Sequence, residues 1–174
     1  MFLSKLKKYY VLKKFKRNFK NDVKQFKRID HIYVNKCSIT IGEDCIFWRN
    51  VSFNCGEIIV GNNCCFGENT IFFANRFDQG GGIRIGNDVM IASNCSFYDS
   101  DHGTKLGIPM IKQPPSIDKI VIEDDVWIGA GAIVLKGSHI KKGAIIGAGA
   151  LVKGEIPENA VAVGIPAKVI KYRE

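Results

Sequence analysis

The chain has 174 residues, which is enough for one domain with a modest core. Its 46% hydrophobic and 24% charged residues are typical of a globular protein, and no run of 18 apolar residues is present, which excludes a membrane-spanning protein. Six cysteines without paired CxxC units, together with three scattered histidines, favour a reduced cytoplasmic protein that holds no metal ion.

The net charge of +8 is concentrated in the N-terminal segment. Residues 1–30 contain eleven Lys or Arg against two Asp, whereas residues 31–174 contain 14 basic and 15 acidic side chains. Apolar residues at steps of three and four predict an amphipathic basic helix here, and they are Leu12, Phe15, Phe19, Val23 and Phe26. We therefore divide the chain into a basic helical arm, residues 1–30, and a main domain, residues 31–174.

Three roles for the basic arm are open at this stage. It caps the end of the main domain, contacts an anionic membrane surface, or guides an acidic polysaccharide towards the protein. The second role would place a cytoplasmic protein peripherally at the inner membrane surface. A nucleic-acid partner is disfavoured, because nothing else in the chain resembles a recognition module.

A six-residue repeat dominates the main domain. Ile, Val or Phe recurs at every sixth position within four blocks: Ile41, Phe47, Phe53; Val60, Phe66, Phe72; Ile85, Ile91, Phe97; and Ile122, Ile128, Val134, Ile140, Ile146, Val152. A period of six is not helical, and it predicts a solenoid of short strands in which neighbouring coils bury each other's apolar residues.

Two further features of the repeat describe its interior and its corners. A small or β-branched residue usually stands four positions after each apolar one, so Cys45, Cys64 and Cys95 are expected as buried core fillers. Glycines such as Gly61 often follow the apolar residue directly, which we interpret as tight corners that need a permissive backbone.

The interruptions of the repeat all follow the third apolar residue of a block. Compared with the regular spacing of six, the step from Phe53 to Val60 has one extra residue. The step from Phe72 to Ile85 has seven extra residues, and the step from Phe97 to Ile122 has nineteen. If three units make one coil, the insertions leave one corner of a triangular prism of about five coils, stacked about 4.8 Å apart.

The chain resembles the hexapeptide-repeat acyltransferases over residues 35–172. The likeness rests on the repeat, on the stretch from Asp125 to Ala132, and on the ending Gly164-Ile165-Pro166-Ala167-Lys168. It is greatest to the O-acetyltransferases of sugars and of capsule or O-antigen polysaccharides. The resemblance implies a left-handed parallel β-helix, a homotrimer with active sites at subunit interfaces, and acetyl-coenzyme A as the acetyl donor in polysaccharide biosynthesis.

The expected general base is His102, which lies five residues after Phe97 at the start of the longest insertion. Acetyl transfer to a hydroxyl needs a group that takes the hydroxyl proton, and a neutral imidazole suits this role. In galactoside-type relatives the catalytic histidine has the same offset from the repeat. Asp101 would point away from it in an extended chain, which leaves Asp99 or a backbone carbonyl as candidates for orienting the ring.

The resemblance also assigns residues to acetyl-coenzyme A and to the acceptor. Ala130 and Ala148, one coil apart, would face the thiol arm, while the phosphates would meet Lys153, Lys168 and Lys171. A sugar or glycan acceptor would meet Asn75 and Trp127, although Trp127 could equally pack against a neighbouring subunit. Lys153 is followed by Gly154, where the family often has Thr-Lys.

Three alternative functions are weighed against this one. A γ-type carbonic anhydrase needs several histidines around zinc, which three scattered ones do not provide. A serine-type small-molecule acetyltransferase would have a long helical N-terminal domain. A non-catalytic solenoid that only binds a partner would tolerate the loss of His102.

Overall fold

The main domain folds into a left-handed parallel β-helix, as the resemblance to the hexapeptide-repeat acyltransferases implies. The computed structural model describes residues 28–29, 32–35, 38–54, 56–75 and 80–174. These residues form 22 short strands, which we number in chain order, and 20 of them belong to the sheets on the three faces of a prism. The predicted N-terminal helix lies outside the described residues, apart from Arg28 and Ile29, which form the first strand.

The strands of each face pair in parallel with the same face of the next coil. Face 1 consists of β3 (Ser38–Ile41), β6 (Glu57–Val60), β9 (Ile83–Ile85), β14 (Ile120–Ile122), β17 (His139–Ile140) and β20 (Glu155–Ile156). Face 2 consists of β1 (Arg28–Ile29), β4 (Ile46–Phe47), β7 (Cys65–Phe66), β10 (Met90–Ile91), β15 (Trp127–Ile128), β18 (Ile145–Ile146) and β21 (Ala160–Val163). Face 3 consists of β2 (Tyr33–Asn35), β5 (Ser52–Asn54), β8 (Ile71–Phe73), β11 (Ser96–Tyr98), β16 (Ile133–Leu135) and β19 (Leu151–Val152).

The interior confirms the predicted pattern of large and small residues. The apolar residue of each unit is buried, and phenylalanines of successive coils stack, with ring centroids 4.8 Å apart for Phe47 and Phe66 and 4.5 Å for Phe72 and Phe97. Cys45, Cys64 and Cys95 are buried free thiols, as expected. Because each ring contacts the coil before and the coil after it, no coil has a core of its own.

The three corners between the faces differ in what they carry. We call the corner between faces 1 and 2 the first corner, that between faces 2 and 3 the second corner, and that between faces 3 and 1 the third corner. Both long insertions leave the third corner, residues 74–82 after β8 and residues 99–119 after β11. Despite them, Ile58, Ile83 and Ile120 remain in register on face 1. The insertions therefore emerge from one corner, as predicted.

The ends of the prism extend beyond the five coils that the apolar repeat indicates. Six or seven parallel strands lie on each face within the described residues, because Tyr33–Asn35 add a start and Glu155–Val163 add a finish. The last strand, β22 (Lys168–Tyr172), reverses direction and pairs antiparallel with β21. In the second insertion two more short strands pair antiparallel, β12 (Ser100–Asp101) and β13 (Ser116–Ile117).

The glycines that follow the apolar residues do not supply the permissive backbone that the sequence analysis predicted for the corners. Left-handed backbone occurs two residues later, at positions such as Asn63, Asp88 and Gly131. A Cβ on Gly61 would instead lie 2.5 Å from the carbonyl oxygen of Gly86 in the next coil. These glycines are thus required for the close approach of neighbouring coils and not for an unusual φ.

No helix among the described residues is both long enough and apolar enough to cross a bilayer.

Candidate active site

The third corner is organised by Asp99, the first residue of the second insertion. Its side chain is fully buried. Oδ1 accepts a hydrogen bond from the backbone N–H of Asn75 at 2.8 Å, and Oδ2 accepts one from that of Gly82, also at 2.8 Å. Burial raises the pKa of this carboxyl, and the hydrogen bonds that it accepts from Gly82 and Asn75 counteract part of that rise. Asp99 thus fixes the two ends of the first insertion and does not serve to orient His102.

His102 lies at the outer end of a short ladder in the second insertion. Strands β12 and β13 bring Ser100 opposite Ile117 and Asp101 opposite Ser116. The imidazole that follows is exposed, and in the described part of the chain no group hydrogen-bonds to it. An exposed ring on a fixed ladder can accept a proton from a bound molecule.

Asp101, which the sequence analysis expects to point away from the ring, has a different partner. Its Oδ2 lies 3.4 Å from Nζ of Lys136, which also donates a hydrogen bond of 2.6 Å to Oγ of Ser116. This ion pair joins the outer end of the ladder to the turn that follows β16. Neither carboxylate near position 102 therefore contacts the imidazole.

The loop beyond His102 is held together by Gln113. Its buried amide donates from Nε2 to the carbonyl oxygens of Lys105 at 2.9 Å and Ile108 at 2.7 Å, and its Oε1 accepts from the N–H of Lys105 at 2.8 Å. A Cβ on Gly103 would lie 2.7 Å from the Cβ of Gln113. The loop is therefore closed around one side chain directly behind His102.

The residues predicted to contact acetyl-coenzyme A lie mainly along the second corner. Ala130 and Ala148 are exposed and lie above one another, since the N–H of Gly149 donates to the carbonyl oxygen of Ala130 at 2.8 Å. At the next position of this corner, an asparagine ladder in the earlier coils gives way to Gly131 and Gly149, which have positive φ. The ridge of small residues leaves backbone accessible to a long, thin ligand.

The three predicted lysines do not form one cluster. Lys168 begins β22 opposite Val163, next to the second corner, whereas Lys171 pairs with Val161 further along face 2. Lys153 is exposed at the third corner, directly after β19. The structure thus places Lys168 nearest the ridge of Ala130 and Ala148.

Trp127 lies on face 2, away from the corner that carries His102. Its side chain is 48% exposed and lies in register with Met90. Trp127 and Met90 line a shallow open groove of about 470 Å³, together with Trp48 and Cys65. Asn75, in contrast, shares the third corner with His102 through Asp99.

Within one chain, the candidate base and the candidate donor ridge lie on different corners. Face 3 separates them, with outward side chains that include Phe73, Tyr98 and Ile133, each more than a third exposed. Within one chain, His102 therefore does not lie beside Ala130 and Ala148.

Sequence reasoning missed the parts of the site that lie inside the insertions. Asp99 appeared as a candidate for orienting His102, but its contacts to Asn75 and Gly82 follow from no repeat. Gln113 carried no sequence signal other than its place before Pro114-Pro115. His139, which the sequence analysis did not single out, lies on face 1 with its Nε2 2.6 Å from Oε1 of Glu123. In the described residues no cluster of three or more His, Cys, Asp or Glu side chains suits a metal ion.

Known proteins share the six-residue repeat of this chain. Two family models match, "Bacterial transferase hexapeptide (six repeats)" over residues 119–154 and "Hexapeptide repeat of succinyl-transferase" over residues 57–99. A 2,3,4,5-tetrahydropyridine-2,6-dicarboxylate N-acetyltransferase of Staphylococcus aureus is 54% identical over 59 residues, which are 34% of this chain and 25% of that protein. The chain thus matches about a quarter of the length of this curated relative.

Solved structures show the same fold along nearly the whole chain. The N-acyltransferase AntD of Bacillus cereus, in complex with dTDP and 3-hydroxybutyryl-CoA, has a TM-score of 0.77 at 20% identity, over 93% of this chain and 87% of that one. A maltose O-acetyltransferase of Clostridium difficile has a TM-score of 0.55 at 28% identity, over 97% of this chain and 88% of that one. The six-residue repeat, the three-sided parallel prism and the two matching family models make this chain similar to the hexapeptide-repeat acyltransferases.

Proposed function

We propose that the protein transfers an acetyl group from acetyl-coenzyme A to a hydroxyl of a sugar or of a cell-surface polysaccharide precursor. The observation that carries this proposal is an exposed imidazole, His102, on a fixed ladder at the corner that also holds Asn75. A relative of this family, the maltose O-acetyltransferase, carries out this type of reaction on a sugar.

The proposed reaction needs one base and one leaving group. His102 takes the proton of the acceptor hydroxyl as its oxygen attacks the thioester carbonyl. The carbon–sulfur bond then breaks, the acetyl group stays on the acceptor oxygen, and the thiolate leaves with the proton that His102 returns. A positioned base of this kind contributes about 10² to 10⁴ in rate.

The second corner would hold the donor. The exposed, small Ala130 and Ala148 allow the thiol arm to lie against the backbone of two successive coils. Lys168 is placed for a phosphate group near this ridge, with Lys171 further along β22 and Lys153 on the third corner of the same prism. Charge-assisted contacts of this kind suit the phosphates of coenzyme A.

The assembly that we propose is a homotrimer. Outward side chains on face 2 include Met90 and Trp127 and those on face 3 include Phe73 and Ile133, whereas face 1 exposes Arg84, His139 and Glu155. Burying faces 2 and 3 between copies would remove apolar surface from water and leave the charged face in solvent. It would also bring His102 of one copy towards the donor ridge of its neighbour, where Trp127 could contact the acceptor.

The base is tested by His102→Ala, with His139→Ala as the matched control on face 1. We expect His102→Ala to reduce thiol release from acetyl-coenzyme A by at least about 10²-fold, while calorimetry shows unchanged binding of coenzyme A. The control should retain activity. Full activity of His102→Ala would refute the assignment and would favour a non-catalytic binding solenoid.

The shared site is tested by mixing two inactive variants, His102→Ala and Ala148→Trp, in equal amounts. If base and donor ridge come from different copies, random trimers regain about a quarter of the sites. If one chain supplied both, no activity would return. Light scattering on the same samples gives the number of copies.

A second candidate acceptor is an amino group. The 59-residue match to an N-acetyltransferase and the fold shared with AntD favour it. A screen of neutral sugars, amino sugars and capsular oligosaccharides by thiol release, followed by mass spectrometry of the products, distinguishes ester from amide. An amide product alone would replace the hydroxyl acceptor while leaving the acetyl donor in place.

The basic arm, residues 1–30, lies almost entirely outside the described residues, so its role stays a prediction. We propose the cytoplasm as the site of the reaction. Contact of the arm with an anionic membrane or with an acidic polysaccharide is an extension of that proposal.

A further inference from the structure

Asp99 accepts two hydrogen bonds from the first insertion, and its backbone also bonds to the end of the second insertion and to strand β8. Its carboxylate accepts from Asn75 and Gly82 of the first insertion, each at 2.8 Å. Its carbonyl oxygen accepts from the N–H of Asp118 at 2.9 Å, near the end of the second insertion, and its own N–H donates to Phe73 at 3.3 Å. One residue thus ties both ends of one insertion to both ends of the other.

The surroundings of Asp99 leave its carboxylate no freedom to move. The side chain is fully buried. A Cβ on Gly81 would lie 2.7 Å from Oδ2 and 2.5 Å from Cγ2 of Ile117, so the backbone of the first insertion is pressed against the carboxylate. A buried carboxylate costs free energy unless hydrogen bonds compensate, and two backbone donors here do so.

The position of Asp99 connects these contacts to the candidate site. Asn75, the proposed acceptor contact, donates its backbone N–H to this carboxylate, and His102 follows Asp99 by three residues along β12. Any displacement of the carboxylate therefore changes the spacing between the acceptor side and the base. A small error in such spacing is costly, because a displacement of 1 Å can reduce a rate by about 10²-fold.

We infer that Asp99 is a positioning residue that holds the acceptor-binding insertion and the insertion carrying His102 in one fixed register. This inference rests on the proposed function for its kinetic consequence, whereas the clamp itself is independent of it. Asp99 takes no part in proton transfer, because both of its oxygens face backbone amides of the first insertion.

The kinetic test compares Asp99→Asn with Asp124→Asn. Asp124 is the matched control, because its Oδ1 also accepts from a backbone N–H of the neighbouring coil, that of Asn87 at 2.6 Å, but at the first corner. Asp99→Asn should raise the KM for the acceptor and lower kcat, together by about tenfold to a hundredfold in kcat/KM, and leave the KM for acetyl-coenzyme A unchanged. Asp124→Asn should lower stability alone.

A measurement without substrate tests the clamp directly. Hydrogen exchange followed by NMR should show the amides of Asn75 and Gly82 protected in the native protein and exchanging about tenfold or more faster in Asp99→Asn, with the amides of the other corners unchanged. Gly81→Ala would place a Cβ 2.7 Å from Oδ2 of the same carboxylate and should give the same pattern, so it tests the clamp if Asp99→Asn does not fold.

The outcomes separate the two proposals. The role of Asp99 would be overturned if the amides of Asn75 and Gly82 stayed protected in a folded variant. It would also be overturned if the KM for the acceptor and the KM for acetyl-coenzyme A changed equally. If native protein acetylates no acceptor but the amides behave as expected, the clamp stands and the proposed function fails.

Discussion

Gly61 and Gly149 are both corner residues, but the backbone requires glycine at each for a different physical reason. At Gly61 the carbonyl oxygen of Gly86 would lie 2.5 Å from an added Cβ, although the backbone conformation itself is ordinary. Gly149 has φ of +67° and no atom within 4 Å of its added Cβ. Coil spacing determines the first and backbone conformation the second.

This difference predicts opposite responses to substitution. Gly61→Ala should destabilise the fold by about 1 to 3 kcal/mol, because it forces two coils apart. Gly149→Asn should change stability by less than about 1 kcal/mol, since Asn tolerates left-handed backbone and occupies this position in the earlier coils. Urea unfolding of both variants measures the contrast, and equal losses would contradict it.

Glu123 gives a pH-dependent contribution to stability. The backbone N–H of Lys142 and the side chain of His139 hold the pKa of Glu123 below its ordinary value. A lowered carboxyl pKa adds stability that is present above the unfolded value and is lost as the pH falls through the folded value.

We therefore expect native protein and Glu123→Gln to differ by less than about 1 kcal/mol at pH 7, since the pair is partly exposed. The difference should vanish as the pH falls below the lowered pKa of Glu123. Urea unfolding at several pH values measures it. A difference that grows in acid would show that the charge of Glu123 is not its source.

At the scale of elements, the second insertion is a loop of its own, closed by a ladder and by Gln113. Its tip exposes Leu106 and Ile111 almost completely, so burial of apolar side chains does not hold the tip in place. The three hydrogen bonds of the Gln113 amide take over that role.

Gln113→Ala should therefore open the loop without unfolding the prism. We expect cleavage by trypsin after Lys105 and Lys112 to accelerate by about tenfold. The variant lacks the three hydrogen bonds of the Gln113 amide, so the loop opens at a lower cost in free energy. Cleavage after Lys141 on face 1 serves as the internal control. Equal acceleration at all three lysines would mean that Gln113 stabilises the whole domain.

The elements also show how far the sequence alone can predict this fold. The six-residue period predicted the buried positions, including Thr70 and Ser138, because each buried position repeats with its coil. The insertions have no period, so the contacts of Asp99 and Gln113 could not be predicted. They depend on where two loops meet, and that depends on the register of β8, β9, β11 and β14.

For the whole molecule, the sequence predicts candidate residues for the site but does not show which corner each of them occupies. His102 and Ala130 follow from resemblance, whereas their location on different corners follows from counting corners along the coils. If the proposed site is distributed over two corners in this way, we expect activity only from the assembly. This is why the mixing experiment distinguishes the proposed trimer from a self-sufficient chain.

The C-terminal end of the prism is closed by reversal of the chain. Strand β22 covers the outer edge of β21. Beyond it, Nη1 of Arg173 lies 2.9 Å from Oδ2 of Asp125 and donates a hydrogen bond of 2.8 Å to the carbonyl oxygen of Gly143. An open edge of parallel strands would offer unpaired backbone groups to another molecule.

Deleting residues 168–174 should therefore cause end-to-end association that increases with concentration. Dynamic light scattering measures it, with Arg173→Ala as the control that keeps the strand. If the truncated chain keeps the particle size of the native protein at all concentrations, the edge of β21 is protected by something else.

The constant register across the third corner has a consequence for how such a protein can change. Coils remain aligned whether the connection at that corner is short, as at Gly56, or as long as residues 99–119, because the neighbouring strands alone set the alignment. Doubling the length of a connection costs only about 0.6 kcal/mol. A foreign peptide could thus be grafted there, and a new acceptor preference acquired, while the inherited scaffold is left as it is.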